Sequence, residues 1–286
     1  MEWTLAVGIA MTAVVMLSAS YFDWRYREVP DIHWWVLGIS GIVLTAVSIS
    51  GGIDFKAAMM LMGSVMILLY ILLDVDIPPI ASMIYCASMA LLFIYPVVTG
   101  FDDPVIRRLL VIPICFVFFY VLFIIGVLRG GADAKCLMTL AMVFQLYPRM
   151  GDLPLIATPS LEIQMVISFP IAVLFHASLF SFAWLFWTIF RKIHRREDPV
   201  EMYTLSWYKM SIDEARRSHV WPKQDVVNGM VVNVNGVADE GALDRLESIG
   251  AKDVWVTPII PFMVPMTAAI FFVLFAGSLL NIPFSL

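Results

Sequence analysis

The sequence predicts an all-α polytopic membrane protein of about eight transmembrane helices, with a small α+β domain inserted before the last helix. Apolar residues fill 61% of the 286 positions and charged residues only 14%, whereas soluble domains are about 45–50% apolar and about 25% charged. Windows of about 20 mostly apolar residues, the length needed to cross a hydrocarbon core of ~30 Å, recur along the chain. These observations exclude a single soluble domain, and the sequence has no basic patch typical of nucleic-acid binding.

Hydropathy places the transmembrane helices in order along the chain. The predicted spans are 3–22, 33–51, 57–73, 78–99, 105–128, 134–147, 164–190 and 259–280. The first is interpreted as a membrane helix rather than a signal peptide, because no Lys or Arg precedes Arg25. The chain therefore divides into a helical core over 1–190, a soluble segment over 191–258 and a final helical segment over 259–286.

The soluble segment has alternating strand and helix patterns. A strand over 231–234 precedes the turn pair Asn235-Gly236, a helix follows over 239–249, and a second strand covers 253–256. This pattern indicates a small α+β insertion. It is either a folded loop without chemistry of its own or a ligand-binding module, and the sequence favours the first interpretation.

The basic residues predict the orientation of the chain. If the first span ends on the cytoplasmic side, fourteen of the eighteen Lys and Arg residues lie in cytoplasmic segments. The outer side keeps Lys56, Arg107, Arg108 and Arg149. The positive-inside rule therefore predicts a cytoplasmic insertion, although the pair Arg107-Arg108 departs from it.

Two aspartates stand at span ends on the same predicted face. Asp23 ends the first span and Asp133 opens the sixth. Four predicted spans separate them, and an even number of crossings returns the chain to the cytoplasmic surface. Two carboxyl groups that share a desolvated site share a proton, which is the state that hydrolyses peptides in aspartic proteases. Taken singly, Asp133 could instead cap a helix and Asp23 mark the membrane interface.

Small residues precede the second aspartate. Gly130-Gly131 and then Ala132 permit unusual backbone angles and let an extended peptide approach the main chain, while Lys135 adds positive charge. The three cysteines lie in apolar runs without metal-ligand spacing, so neither a metal nor another cofactor is expected.

These motifs resemble the GxGD family of type IV prepilin and preflagellin peptidases. The resemblance implies that Asp23 and Asp133 are the catalytic pair, that Gly130 to Lys135 form the second family motif, and that Pro30 and Asp31 belong to its Val-Pro-Asp element. It also implies an aspartyl endopeptidase of the cytoplasmic membrane that cuts the short basic leader of a preflagellin or prepilin at the cytoplasmic face. The soluble insertion before the last helix is similar to the archaeal branch.

The chain departs from the family pattern in two respects. Ala132 stands where the general motif has glycine, as in many archaeal members, and eight predicted spans exceed the usual six by one helix pair. The four-cysteine zinc loop of bacterial members is absent, which argues against their N-methyltransferase activity.

Other functions remain open at this point. A proton-coupled transporter could use the same carboxylates, but the acids lie at span ends rather than at mid-membrane. A presenilin-type or signal-peptide-peptidase-type protease shares the chemistry but has a Pro-Ala-Leu element that this chain lacks. Four further acids either attract a basic leader or are solvated loop charges: Glu28, Asp31, Asp74 and Asp76.

Overall fold

The structure is a computed structural model that describes residues 2–73, 78–128, 130–194, 207–234, 238–239 and 241–284. The α-helices of these residues are α1 Glu2–Tyr26, α2 Ile32–Ser48, α3 Phe55–Leu72, α4 Pro79–Gly100, α5 Pro104–Ile124, α6 Gly131–Val143, α7 Leu161–Val166, α8 Phe169–His194, α9 Ile212–Arg217, α10 Ala242–Ser248 and α11 Met263–Phe275. The β-strands are β1 Tyr208–Ser211, β2 Val220–Pro222, β3 Gln224–Val227, β4 Met230–Asn233 and β5 Asp253–Pro258.

Within the described residues, six helices are long and apolar enough to cross a membrane, which confirms a multi-pass membrane protein. They are Trp3–Tyr26, Phe55–Leu72, Pro79–Gly100, Pro104–Ile124, Phe169–Trp187 and Met263–Phe284. The expected count of eight spans is not confirmed. The other two predicted spans, 33–51 and 134–147, correspond to α2 with 17 residues and α6 with 13. At 1.5 Å per residue these helices cover only about 25 and 20 Å of a ~30 Å hydrocarbon core.

Contacts divide the chain into two compact units. The first contains Met1–Ser178 and Phe262–Leu286, and the second contains Leu179–Pro261. The predicted insertion, 191–258, falls within the second unit.

The short helix α6 lies in the core of the first unit. Its residues from Cys136 to Met142 are all buried, as expected for a helix that is apolar on every side. Helix α2 runs parallel to it and comes very close at Gly41, where a Cβ atom would lie 2.7 Å from the carbonyl carbon of Met142. Thr45 of α2 then donates a hydrogen bond to the Met142 carbonyl at 3.1 Å. Glycine at position 41 therefore permits the packing that holds α6 in place.

The second unit contains a small antiparallel sheet. Its strand order is β1-β5-β2, and β3 pairs with β4 as a separate hairpin. The predicted strand 253–256 and the predicted helix within 239–249 are present as β5 and α10. Strand β4 overlaps the predicted strand 231–234, but its hairpin turn is Asn228-Gly229, where both φ angles are positive. The predicted turn Asn235-Gly236 lies outside the described residues.

Candidate active site

Asp23 is held at the start of the last helix. It lies in the last turn of α1, half-buried, and its Oδ2 accepts a hydrogen bond from the backbone N–H of Met263 at 2.9 Å. Ser20, one turn earlier, donates to the Met263 carbonyl at 3.0 Å and lies 2.7 Å from the hydroxyl of Thr267. Thr267 donates to the Met16 carbonyl at 3.1 Å. These polar contacts fix the two antiparallel helices against each other, so the Asp23 carboxyl group has a defined position.

Asp133 lies in the first turn of α6, and its carboxyl group interacts electrostatically with that of Asp23. The structure therefore brings together the two aspartates that the sequence singled out. Immediately after Asp133, the side chains of Ala134 and Cys136 are buried in the core of the unit. The thiol of Cys136 lies 3.4 Å from the sulfur of Met16, which ties the first turns of α6 to α1. The backbone on both sides of the carboxyl pair is thus packed against neighbouring helices.

Gly130 leaves the space that the Asp133 carboxyl group occupies. A Cβ atom built on Gly130 would overlap Asp133 Oδ2 and lie 2.8 Å from Asp133 Cγ. The next residue is different, because a Cβ on Gly131 would meet only a ring atom of Phe123 at 4.0 Å. Ala132 follows as a half-buried residue.

One of the two reasons expected for Gly130, unusual backbone angles, was wrong, while the other, room for an extended peptide beside the main chain, stays a prediction. Its φ of −87° and ψ of 120° are extended backbone angles that any residue adopts. The glycine is needed for space beside the carboxyl group rather than for backbone freedom.

Asp31 and Lys135 join the starts of α2 and α6. The ammonium group of Lys135 lies 2.8 Å from each carboxylate oxygen of Asp31. Asp31 is the N-cap residue of α2, but its side chain does not accept a hydrogen bond from a backbone amide of that helix. Both of its carboxylate oxygens bind Lys135 instead. Pro30 contributes its carbonyl group, which accepts a hydrogen bond from Nδ1 of His33 at 2.8 Å. These contacts fix the loop after Asp23 relative to the helix that carries Asp133.

Two residues near the site were not anticipated from the sequence. His33 is buried, contacts Pro30, and lies 3.0 Å from the Ser18 hydroxyl. Its only sequence signal is the Pro-x-x-His spacing at the start of a helix. Met263 acts through its backbone N–H, which no side-chain pattern can reveal.

The structure describes two of the four acids that were expected either to attract a basic leader or to be solvated loop charges. Glu28 is exposed, and Asp31 is already paired with Lys135. Asp74 and Asp76 lie outside the described residues.

Comparison with known proteins gives two relatives, while no family model matches the chain. A preflagellin peptidase of Methanocaldococcus jannaschii is 26% identical over 265 residues, which cover 91% of this chain and 89% of the relative. A preflagellin peptidase of Methanococcus maripaludis is 26% identical over 197 residues, or 64% of this chain and 79% of that protein. Together with the paired aspartates and the apolar helices, these relatives confirm the resemblance found in the motifs and support membership of the preflagellin and prepilin peptidase family.

Proposed function

We propose that this chain is a membrane-embedded aspartyl endopeptidase that removes the leader of preflagellin-like or prepilin-like precursors, with Asp23 and Asp133 as its catalytic residues. The observation that carries the proposal is that these two carboxyl groups, which come from different helices and are distant in the chain, lie close enough to interact electrostatically. Two named preflagellin peptidases among the relatives support the substrate class. They do not favour a transporter or a presenilin-type protease.

The carboxyl pair can perform peptide hydrolysis by acid–base chemistry. Two carboxyl groups that interact in a partly buried site resist ionising together, and we propose that the working pair holds one proton between them. The ionised carboxylate takes a proton from a water molecule as its oxygen attacks the scissile carbonyl carbon, while the protonated partner donates a hydrogen bond to the carbonyl oxygen. When the C–N bond breaks, a proton passes to the leaving amine. No other group is required to balance this step.

The position of Asp23 suits a precursor that is cut beside its hydrophobic helix. Asp23 lies three residues before the end of α1, about 5 Å along the helix axis, so the carboxyl pair is near the boundary between hydrocarbon and water. A precursor with a basic leader could keep the leader in water while its apolar segment enters the bilayer. We propose that this face is cytoplasmic, because fourteen basic residues fall on that side when the first span ends there.

Cleavage of a preflagellin precursor in membranes tests the proposal. Asp23→Asn and Asp133→Asn should each lower the cleavage rate by at least about a hundredfold, since each removes one partner of the acid–base pair. Asp54→Asn is the matched control. Asp54 caps α3 by accepting a hydrogen bond from Ala57 at 2.8 Å, and asparagine caps helices equally well.

The variants must insert and fold for the comparison to hold, which size-exclusion chromatography of the purified proteins establishes. Normal precursor shortening by either site variant would refute the assignment. Aspartate-dependent proton flux into proteoliposomes, without precursor shortening, would indicate a transporter instead.

A further inference from the structure

The first unit contains a cavity of about 320 Å³ at the end opposite to Asp23. Its walls come from the start of α1, the end of α2, Arg108 near the start of α5, and the chain that follows α6. Thr4 and Gly8 of α1 line it, and these residues precede Asp23 by 15 to 19 positions, about 22–29 Å along the helix. The cavity is therefore separate from the candidate active site.

The cavity exists because α6 ends early. After Val143 the backbone is no longer helical, and residues 144–149 form one wall. Non-helical backbone at membrane depth is tolerated where it is buried in protein or lines a polar cavity. Gln145 meets part of this requirement, since its amide donates to the Met142 carbonyl at 2.6 Å and to the Thr45 hydroxyl at 2.9 Å.

Arg108 brings a positive charge into this cavity. Its Nε donates to the side-chain oxygen of Gln145 at 3.1 Å, and no carboxylate among the described residues pairs with it. Arg108 lies four residues inside α5, about 6 Å from its start, a position at which a charged side chain is usually paired or reaches towards the membrane interface. The preceding Arg107 has such a partner in Glu162 at 3.1 Å, so the two neighbouring arginines differ in this respect.

The remaining lining fits an amphipathic anion. Arg149 contributes a second positive charge from an exposed position at the edge, where it donates to the Thr158 carbonyl at 3.2 Å. No acidic side chain lines the cavity within the described residues. Most of the wall is apolar, with Leu5, Leu44 and Phe144 among its residues.

We propose that this cavity binds the headgroup of an anionic membrane phospholipid, with its phosphate on Arg108 and its hydrocarbon chains against the apolar wall. The planar guanidinium group can donate parallel hydrogen bonds to phosphate oxygens, and a basic pocket between membrane helices offers an anionic headgroup a complementary charge. Arg108 lies near one end of α5, about 6 Å from the start of the helix, rather than near its middle. Arg108, one of the two arginines that depart from the positive-inside pattern, thereby has an anionic partner on its side of the membrane.

Native mass spectrometry of the purified full-length chain tests this proposal by titration with phosphatidylglycerol, phosphatidylcholine and inorganic phosphate. The wild-type chain should retain phosphatidylglycerol and not phosphatidylcholine. Arg108→Gln should weaken retention by at least about tenfold, because charge-assisted hydrogen bonds to the phosphate are lost. Arg107→Gln removes the same charge one residue away and should bind as the wild type does.

A second variant keeps the proposal falsifiable if Arg108→Gln does not fold. Ser48→Phe leaves both arginines in place but fills the cavity with a ring, and it should also abolish phosphatidylglycerol retention. Equal retention by the wild type and either cavity variant would overturn the proposal. Binding of inorganic phosphate that displaces no lipid, or equal retention of phosphatidylcholine, would overturn the assignment to an anionic phospholipid.

Discussion

Replacing Gly130 with alanine should displace the Asp133 carboxyl group and slow cleavage. The added Cβ would lie 2.8 Å from Asp133 Cγ, whereas ordinary contacts of this kind begin near 3.4 Å. The carboxyl group must therefore move by about 0.6 Å or more, and displacements near 1 Å of a reacting group reduce rates by about a hundredfold. The backbone angles of Gly130 suit alanine, so the effect acts on the side chain and not on the fold.

Gly131→Ala is the matched control for this substitution. It adds the same methyl group to the adjacent residue, where the new Cβ would meet only Phe123 at 4.0 Å. Alanine also favours the helix by up to about 1 kcal/mol relative to glycine, so the variant should be at least as stable as the wild type. Initial rates of precursor shortening in detergent, at equal enzyme concentration, compare the two variants.

The expected result is a loss of about one to two orders of magnitude for Gly130→Ala and a rate near that of the wild type for Gly131→Ala. The reasoning is wrong if Gly130→Ala cleaves at the wild-type rate. It is also wrong if both variants lose activity equally, because the effect would then reflect glycine in the loop rather than space beside the carboxyl group.

Three further predictions concern packing, the ion pair and the second unit. Gly41→Ala should lower the thermal unfolding temperature, since its Cβ would meet rigid backbone of α6 at a cost of about 1–3 kcal/mol, whereas Gly51→Ala has open space and should not. Asp31→Asn breaks a partly exposed ion pair worth at most about 1 kcal/mol, so cleavage should stay within about tenfold of wild type. Arg245 lowers the pKa of Asp225 by hydrogen bonding, so the stability of the folded state should fall as pH drops through that lowered pKa. Asp225→Asn should flatten this dependence in unfolding measured from about pH 6 to 3.

The sequence predicted the parts of the fold that depend on local patterns. Among the described residues, hydropathy located each of the six helices that are long enough to span, and the Gly-Gly-Ala-Asp motif located the start of α6. The even number of predicted crossings placed Asp23 and Asp133 on one face, and the structure brings them together. The helix positions could be predicted because a helix is defined by its own residues, whereas the common membrane face of the two aspartates stays a prediction.

The parts that the sequence did not predict depend on partners that are distant in the chain. The bond from Met263 to Asp23 uses a backbone N–H, and the role of Gly130 becomes visible only when the Asp133 carboxyl group is placed beside it. In the second unit, Asn228-Gly229 carries the same turn signal as Asn235-Gly236. The hairpin between β3 and β4 uses Asn228-Gly229, a turn that the sequence analysis did not predict, and strand pairing is not fixed by local patterns alone.

The shortness of α6 explains why the two polar sites of the first unit lie where they do. A helix of 13 residues covers about 20 Å, so it cannot place both ends in the headgroup layers. At least one end therefore lies below the headgroup layer, and polar groups at that end require partners from the protein, from water or from a ligand. At its start Asp133 meets Asp23, and just after its end Gln145 binds Thr45 and Arg108. The run over 134–147 was predicted as one more crossing because it is apolar, although its 14 residues are fewer than the roughly 20 that a full crossing needs.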